Sequence, residues 1–128
     1  MSTGVERKLT TILAADAEGY SREMDADEVR ALGALHAARN VFSKFIERHH
    51  GRIANTAGDG LIAEFPSVVE AVQCAIEVQG ELGALSRDPG GALRFRIGVH
   101  LGDVMVDGGD LLGEGVNLAA RLQPTLPR

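Results

Sequence analysis

The sequence predicts an α+β sandwich, a mostly antiparallel sheet with its helices on one face. Three observations carry this. Phe95, Ile97, Val99 and Leu101 alternate with Arg94, Arg96, Gly98 and His100, the period of a half-buried strand. Two long stretches, from Asp25 to about His50 and from Ser67 to about Leu85, repeat apolar residues at helical spacing. Between them, Asp59-Gly60 separates the apolar runs Arg52-Ile53-Ala54 and Leu61-Ile62-Ala63-Glu64-Phe65, a strong hairpin signal.

Taken in order, residues 1–7 read as a polar leader, and about residues 8–15 form a first strand apolar enough to be central in a sheet. Asp16 to Ser21 follow as a loop or short helical turn. Asp25 with Glu28 fits a capping box that opens the first long helix. Val29, Leu32, Leu35, Val41, Phe42, Phe45 and Ile46 form its apolar stripe, and Gly51 is a natural stop. In the hairpin, Gly supplies the positive φ of the tight turn and Asp59 sits at the tip with its carboxylate free. Ser67 and Glu70 form a further capping box. Val68, Val72, Ala75, Ile76, Val78 and Leu82 continue the second long helix. After the period-two strand, Gly102-Asp103 marks a turn and Val104-Met105-Val106 one more strand. The Gly- and Asp-rich segment 107–115 reads as a loop, and Val116 to Leu122 as a helix cut short by Pro124. The sheet face away from the helices is left to a partner, a ligand or further chain.

The bulk properties narrow the function. A chain of 128 residues suits one core, and 45% hydrophobic with 24% charged residues is ordinary for a globular protein. The net charge of −5 and scarce aromatics argue against a nucleic-acid binder. A single cysteine, Cys74, excludes an internal disulfide and a multi-cysteine zinc site, and its place in a helical apolar pattern makes it a core residue. No apolar run is long enough for a membrane span and the N-terminus lacks a signal peptide's apolar stretch, so a cytoplasmic protein is expected. His49-His50 suits a helix C-terminus, where positive charge is favoured.

The candidate chemistry begins with two acids. Asp16 ends the first apolar run and Asp59 sits in the hairpin; carboxylates at neighbouring strand ends suit a hard divalent cation. Singly, Asp59 reads as a turn residue, Asp16 as a helix cap, Arg121 as a surface arginine and Asn117 as a cap. Their order along the chain changes that reading. Ala15-Asp16-Ala17-Glu18-Gly19-Tyr20-Ser21 resembles the first metal-binding motif of class III nucleotide cyclases, and Thr56-Ala57-Gly58-Asp59-Gly60 their second. Phe95 to Gly102 is similar to their central strand. The run Asp110-Leu111-Leu112-Gly113-Glu114-Gly115-Val116-Asn117-Leu118-Ala119-Ala120-Arg121 resembles their substrate and transition-state segment. The resemblance covers roughly residues 8–122 and points to the bacterial adenylate/guanylate cyclase domains.

The resemblance implies a ferredoxin-like antiparallel sheet with helices on one face. It also implies a phosphorus–oxygen lyase that makes cyclic AMP and pyrophosphate from ATP for signal transduction. The ATP 3′-hydroxyl attacks the α-phosphorus with the help of two Mg²⁺ or Mn²⁺ ions. Asp16 and Asp59 would hold both ions, with the Ala17 carbonyl as a further ligand. Amides of Gly19, Tyr20 and Ser21 would cradle phosphates. Arg121 would stabilise the transition state and Asn117 orient the ribose, both donated by the other subunit of a head-to-tail homodimer. Asp110 matches the family's adenine-reading Asp, whereas Asn55 stands where adenylate cyclases carry Lys and guanylate cyclases tend to carry Glu, so ATP is preferred and GTP is the alternative. Family domains continue well past the Asn-Arg helix and include a triphosphate-contacting Lys. Here the sequence ends at Arg128 and no Lys follows Lys44, so a C-terminally truncated domain is expected. The competing reading is a catalytically impaired cyclase-homology module for dimerisation or nucleotide binding.

Overall fold

The computed structural model describes residues 5–85, 93–108 and 110–112. Strand β1 (Val5–Ala17) leads into α1 (Tyr20–Ala26) and the long α2 (Glu28–Arg48). The hairpin β2 (Arg52–Ala57) and β3 (Gly60–Phe65) follows. Helix α3 (Val68–Leu85), β4 (Phe95–Asp107) and β5 (Asp110–Leu112) complete the order. All pairings are antiparallel, and the sheet runs β2-β3-β1-β4-β5. The predicted α+β, ferredoxin-like arrangement is therefore the observed one, with β1 central as its apolar run requires.

Several boundaries differ from the expectation, each for a pairing or capping reason. Strand β1 begins at Val5 and runs through Asp16 and Ala17, because β4 pairs with it along its whole length, from Val5 opposite Asp107 to Ala17 opposite Phe95. The same ladder carries β4 straight through Gly102-Asp103, so no turn occurs there. Segment 107–115 contains a strand, β5, reached through Gly108 at φ 58°. The cap of α2 is Asp27, not Asp25: its carboxylate accepts from the Arg30 amide at 3.1 Å, while Asp25 lies inside α1. Ser67 does cap α3, accepting from the Glu70 amide at 3.2 Å. The Glu70 side chain, however, goes to His49 rather than back to the cap. The helix predicted at 116–122 lies outside the described residues.

The end of α2 shows why a glycine was needed at position 51. The His50 amide donates to Glu47 O (3.1 Å) and the Gly51 amide to Ile46 O (2.8 Å), the paired bonds of a Schellman motif. The left-handed residue is His50 (φ 64°), not Gly51. Gly51 is required for space: a Cβ there would lie 2.6 and 2.8 Å from ring carbons of Phe65 and 3.0 Å from the Glu64 carbonyl oxygen. Phe65 is buried and cannot retreat. Gly51→Ala is thus expected to destabilise the fold by about 1–3 kcal/mol, read from urea denaturation.

The main core lies between the helices and one sheet face. Leu13, Ala15 and Ala17 of β1 and Phe95 and Ile97 of β4 meet Leu35, Ala38, Phe42, Phe45 and Ile46 of α2, and Ala71, Cys74, Val78 and Leu82 of α3. Two expected stripe residues of α2, Val29 and Leu32, are exposed, as are Val68 and Ile76 of α3. Small residues (Ala31, Ala38, Ala71, Cys74) occupy the buried lines instead, because helices laid close on a sheet leave room for little else there. Burial and the nearby Glu77 push the Cys74 thiol up to about 12, so it is an inert core residue as expected. His49 caps α2 and is buried between two α3 carboxylates, with Nδ1 3.2 Å from Glu70 and Nε2 3.0 Å from Glu77. His50 is exposed.

The helix-free face is not simply left open. Ile12, Ala14, Val104 and Leu111, with Ala54, Ile62 and Val106 against them, form a second small core drawn from all five strands. The sheet curls far enough for Asn55 on edge strand β2 to hydrogen-bond Asp110 on the opposite edge strand β5. Beside this core Glu64 is buried. It accepts from Thr10 Oγ1 (2.8 Å) and Arg52 Nε (2.8 Å) and pairs with Lys8 Nζ (2.5 Å). Burial alone would raise the Glu64 pKa, but the bonds from Lys8 and Thr10 and the charges of Lys8 and Arg52 outweigh it and hold the carboxyl below its ordinary value of 4.5. A carboxyl whose pKa is lower folded than unfolded stabilises the fold above its unfolded value, and that stability is lost as pH falls through the folded value. Thermal midpoints should therefore drop as pH goes below about 4.5. Glu64→Gln should flatten that acid limb while lowering the midpoint at neutral pH, where Lys8 and Arg52 lose their anion.

Candidate active site

Two strand ends build the site. The β1–β3 register ends with Ala15 opposite Leu61, and just beyond it the end of β1 meets the β2–β3 turn. Gly58 and Asp59 are the two turn residues between Ala57 and Gly60. The positive φ (57°) falls on Gly58, the first central residue, where a type II′ hairpin needs glycine. Arg39 of α2 donates to the Gly58 carbonyl and ties the turn to the helix layer. The Asp59 carboxylate is not free, as the sequence suggested. Its Oδ2 accepts from the Ala17 amide at 2.9 Å, which locks the hairpin tip against the end of β1.

Asp16 is the neighbouring residue. Leu13, Ala15 and Ala17 face the helices, so alternation puts Asp16 on the other face with Ile12 and Ala14. Arg96 stands directly opposite on β4. Its guanidinium grips both carboxylate oxygens, Nε to Oδ1 at 3.0 Å and Nη2 to Oδ2 at 3.2 Å. The Asp16–Ala17–Asp59 junction thus joins two half-buried carboxylates through one backbone amide. Among the described residues no group of three or more His, Cys, Asp and Glu side chains is arranged to hold a metal ion. Two hard oxygen donors still fit Mg²⁺, which keeps several waters and takes the rest of its shell from substrate phosphates.

Beyond the junction, Gly19 (φ 68°) turns the chain into α1, whose first residues are Tyr20 and Ser21. The Glu18 amide donates to Arg94 O at 2.7 Å and fixes the start of that turn. On the same sheet face, Ile62 lies opposite both Asn55 on β2 and Ala14 on β1, which puts Asn55 one row from Asp16. It reaches that face only because a bulge between Ile53 and Asn55 shifts the β2 register. Asn55 Nδ2 donates to the two Asp110 oxygens at 3.1 and 3.3 Å, and Asp110 Oδ1 also accepts from the Leu111 amide at 2.9 Å.

No protein-family model matches the chain. A crystal structure of an adenylate/guanylate cyclase/hydrolase from Silicibacter pomeroyi superposes with a TM-score of 0.84 at 36% identity, covering 94% of this chain and 72% of that one. The chain belongs to the class III adenylate/guanylate cyclase family. This cyclase domain is also 44% identical over 122 residues to "Putative adenylate cyclase 3" of Rhizobium meliloti (strain 1021), and 32% identical over 120 residues to an uncharacterized protein of Mycobacterium tuberculosis (strain ATCC 25618 / H37Rv). Those matches span 93% and 91% of the chain but 21% and 45% of the two relatives, so the domain corresponds to less than half of either.

Of the residues singled out from the sequence, the cyclase fold gathers Asp16, Ala17, Asp59, Gly19, Tyr20 and Ser21 at one corner, and brings Asn55 and Asp110 into contact. Asn117 and Arg121 lie outside the described residues. Sequence reasoning missed Arg96 and Arg39. Arg96 sat in plain view as a polar residue of the period-two strand, but its partner is 80 residues away and only the β1–β4 register reveals it. Among the described residues no helix is long and apolar enough to cross a membrane.

Proposed function

We propose that this domain is the catalytic unit of an adenylate cyclase, converting ATP to 3′,5′-cyclic AMP and pyrophosphate at the interface of a homodimer. The observation that carries this is the meeting of Asp16 and Asp59 at the ends of adjacent strands, where the Asp59 carboxylate accepts from the amide of Ala17, the residue next to Asp16. Divalent cations held there would acidify the 3′-hydroxyl and offset the charge of the leaving pyrophosphate. The chain's own part is to present the two carboxylates at one corner, Asp59 fixed by the Ala17 amide and Asp16 held by Arg96 until a cation takes its place. The turn at Gly19, Tyr20 and Ser21 presents backbone amides near the same corner, suited to phosphate oxygens. Asp110 would accept from an adenine amino group and Asn55 donate to a ring nitrogen, once their mutual hydrogen bond opens. Asn117 and Arg121 are proposed to come from the second subunit, to orient the ribose and to stabilise the charged transition state.

The Asn55–Asp110 contact also supports a second reading. A site that lacks a lysine there, and is closed on itself, suits a module that binds nucleotide without turning it over. One assay separates the two: cyclic product from ATP and from GTP, with Mg²⁺ or Mn²⁺, over a range of protein concentration. Product from ATP that rises faster than linearly with protein supports the dimeric cyclase. ATP binding without product from folded protein supports the module.

A further inference from the structure

We propose that Arg96 is a resident counter-cation for the metal-site carboxylate, holding Asp16 where a divalent cation would otherwise bind and releasing it when one does. The inference rests on the reading of Asp16 and Asp59 as the metal-binding pair. Its basis is the fork geometry: Nε and Nη2 engage the two different oxygens of Asp16, at 3.0 and 3.2 Å. Both oxygens that could ligate a metal ion are therefore already turned toward a positive charge. An arginine cannot relieve this competition by losing a proton. A divalent cation on Asp16 would face an unreleased guanidinium across the same carboxylate, and like charges at that range repel. The pair is well placed to open, since the side chains of Arg96 and Asp16 keep 39% and 31% of their exposure.

Asp59 is held differently. Its partner is the neutral Ala17 amide, which adds no charge and leaves a cation free to share that carboxylate. The pair of acids is thus asymmetric: Asp59 is fixed by the backbone and Asp16 is kept by a removable side chain. In the absence of metal, Arg96 also offsets the negative charge of Asp16. Two opposite consequences follow for a neutral replacement. The metal-free fold should lose stability, and affinity for a divalent cation alone should rise. A residue that merely props up the site would lower both.

The test is Mn²⁺ binding to the 128-residue chain without nucleotide, followed by the electron paramagnetic resonance of free Mn²⁺, together with thermal midpoints with and without the ion. Arg96→Gln should bind Mn²⁺ about fivefold more tightly than wild type, the scale of one partly exposed ion pair. Its metal-free midpoint should fall and its Mn²⁺-induced rise should grow. Arg96→Lys keeps the charge without the fork and should lie between; it also serves if the glutamine variant does not fold. Affinity that is unchanged or weaker in the folded variants overturns the proposal. Asp16→Asn separates the two ways of failing. If wild type binds Mn²⁺ and Asp16→Asn does not, yet Arg96→Gln is no tighter, the metal site stands and the counter-cation role falls. If wild type and Asp16→Asn bind equally little, the metal site and the counter-cation role fall together.

Discussion

Asp59→Ala is expected to lower cyclic AMP production from ATP by at least about a hundredfold, since under the proposed function it removes one of the two carboxylates that would hold the metal ions and, with it, charge compensation in the transition state. The fold should survive. Asp59 sits in a two-residue turn whose positive φ falls on Gly58, so alanine meets no backbone strain there. What is lost structurally is one hydrogen bond to the Ala17 amide, worth about 1 kcal/mol. Asp59→Asn divides the two roles: its side-chain oxygen can still accept from Ala17, while the charge is gone. It should match wild type in thermal stability and match Asp59→Ala in activity. Substantial cyclic AMP from the asparagine variant would mean that the carboxylate serves the hairpin and not the chemistry.

Phe42→Ala should be the most damaging single change to the fold, at about 3–5 kcal/mol. Phe42 is fully buried in the middle of α2, and its ring meets that of Phe95 edge to face, with centroids 5.1 Å apart at 64°. The truncation would leave a cavity between helix and sheet as well as breaking that aromatic pair. Domains of this size are stable by only about 5–15 kcal/mol, so a large part of the total would go. Val29→Ala is the matched control. Val29 belongs to the same helix and the same apolar pattern, but it is 83% exposed and should change stability by no more than about 0.5 kcal/mol. Urea denaturation of the two variants reads both effects. Equal losses would mean that Val29 is covered in solution by something other than its own chain.

The contrast between Phe42 and Val29 marks how far periodicity reaches. A repeat of apolar residues shows that a helix has a buried face, but it does not say how much of the helix lies over the sheet. Val29 and Leu32 fall near the N-terminal end of α2, where exposure remains high, and Ala31 and Ala38 take the close-packed line. Local chemistry was more legible. Ser67 before an apolar run caps α3, and a hairpin forms where Asp59-Gly60 announces one, because caps and tight turns are settled by a residue and its near neighbours; the turn pair is Gly58-Asp59, however, with the positive φ on Gly58 while Gly60 opens β3. Asp25 for Asp27 was an error of the same local kind, since either acid could cap and α1 had already claimed the first.

The residues by themselves determined the fold class, the two acids at neighbouring strand ends and the family to which their order points. These depend on side-chain type, spacing and turn chemistry, which are properties of short segments. Tertiary structure decided which atoms those acids meet. The full-length β1–β4 ladder carries Asp16 into a strand and sets Arg96 against it. The bulge in β2 turns Asn55 onto the helix-free face, and the curl of the sheet brings Asp110 to it from the far edge. A one-residue change of register would send Asn55 to the opposite face, and no local pattern in the chain encodes that choice. Register and curl are set by many strand pairs acting together, so the partners of the site residues exist only once the sheet has formed.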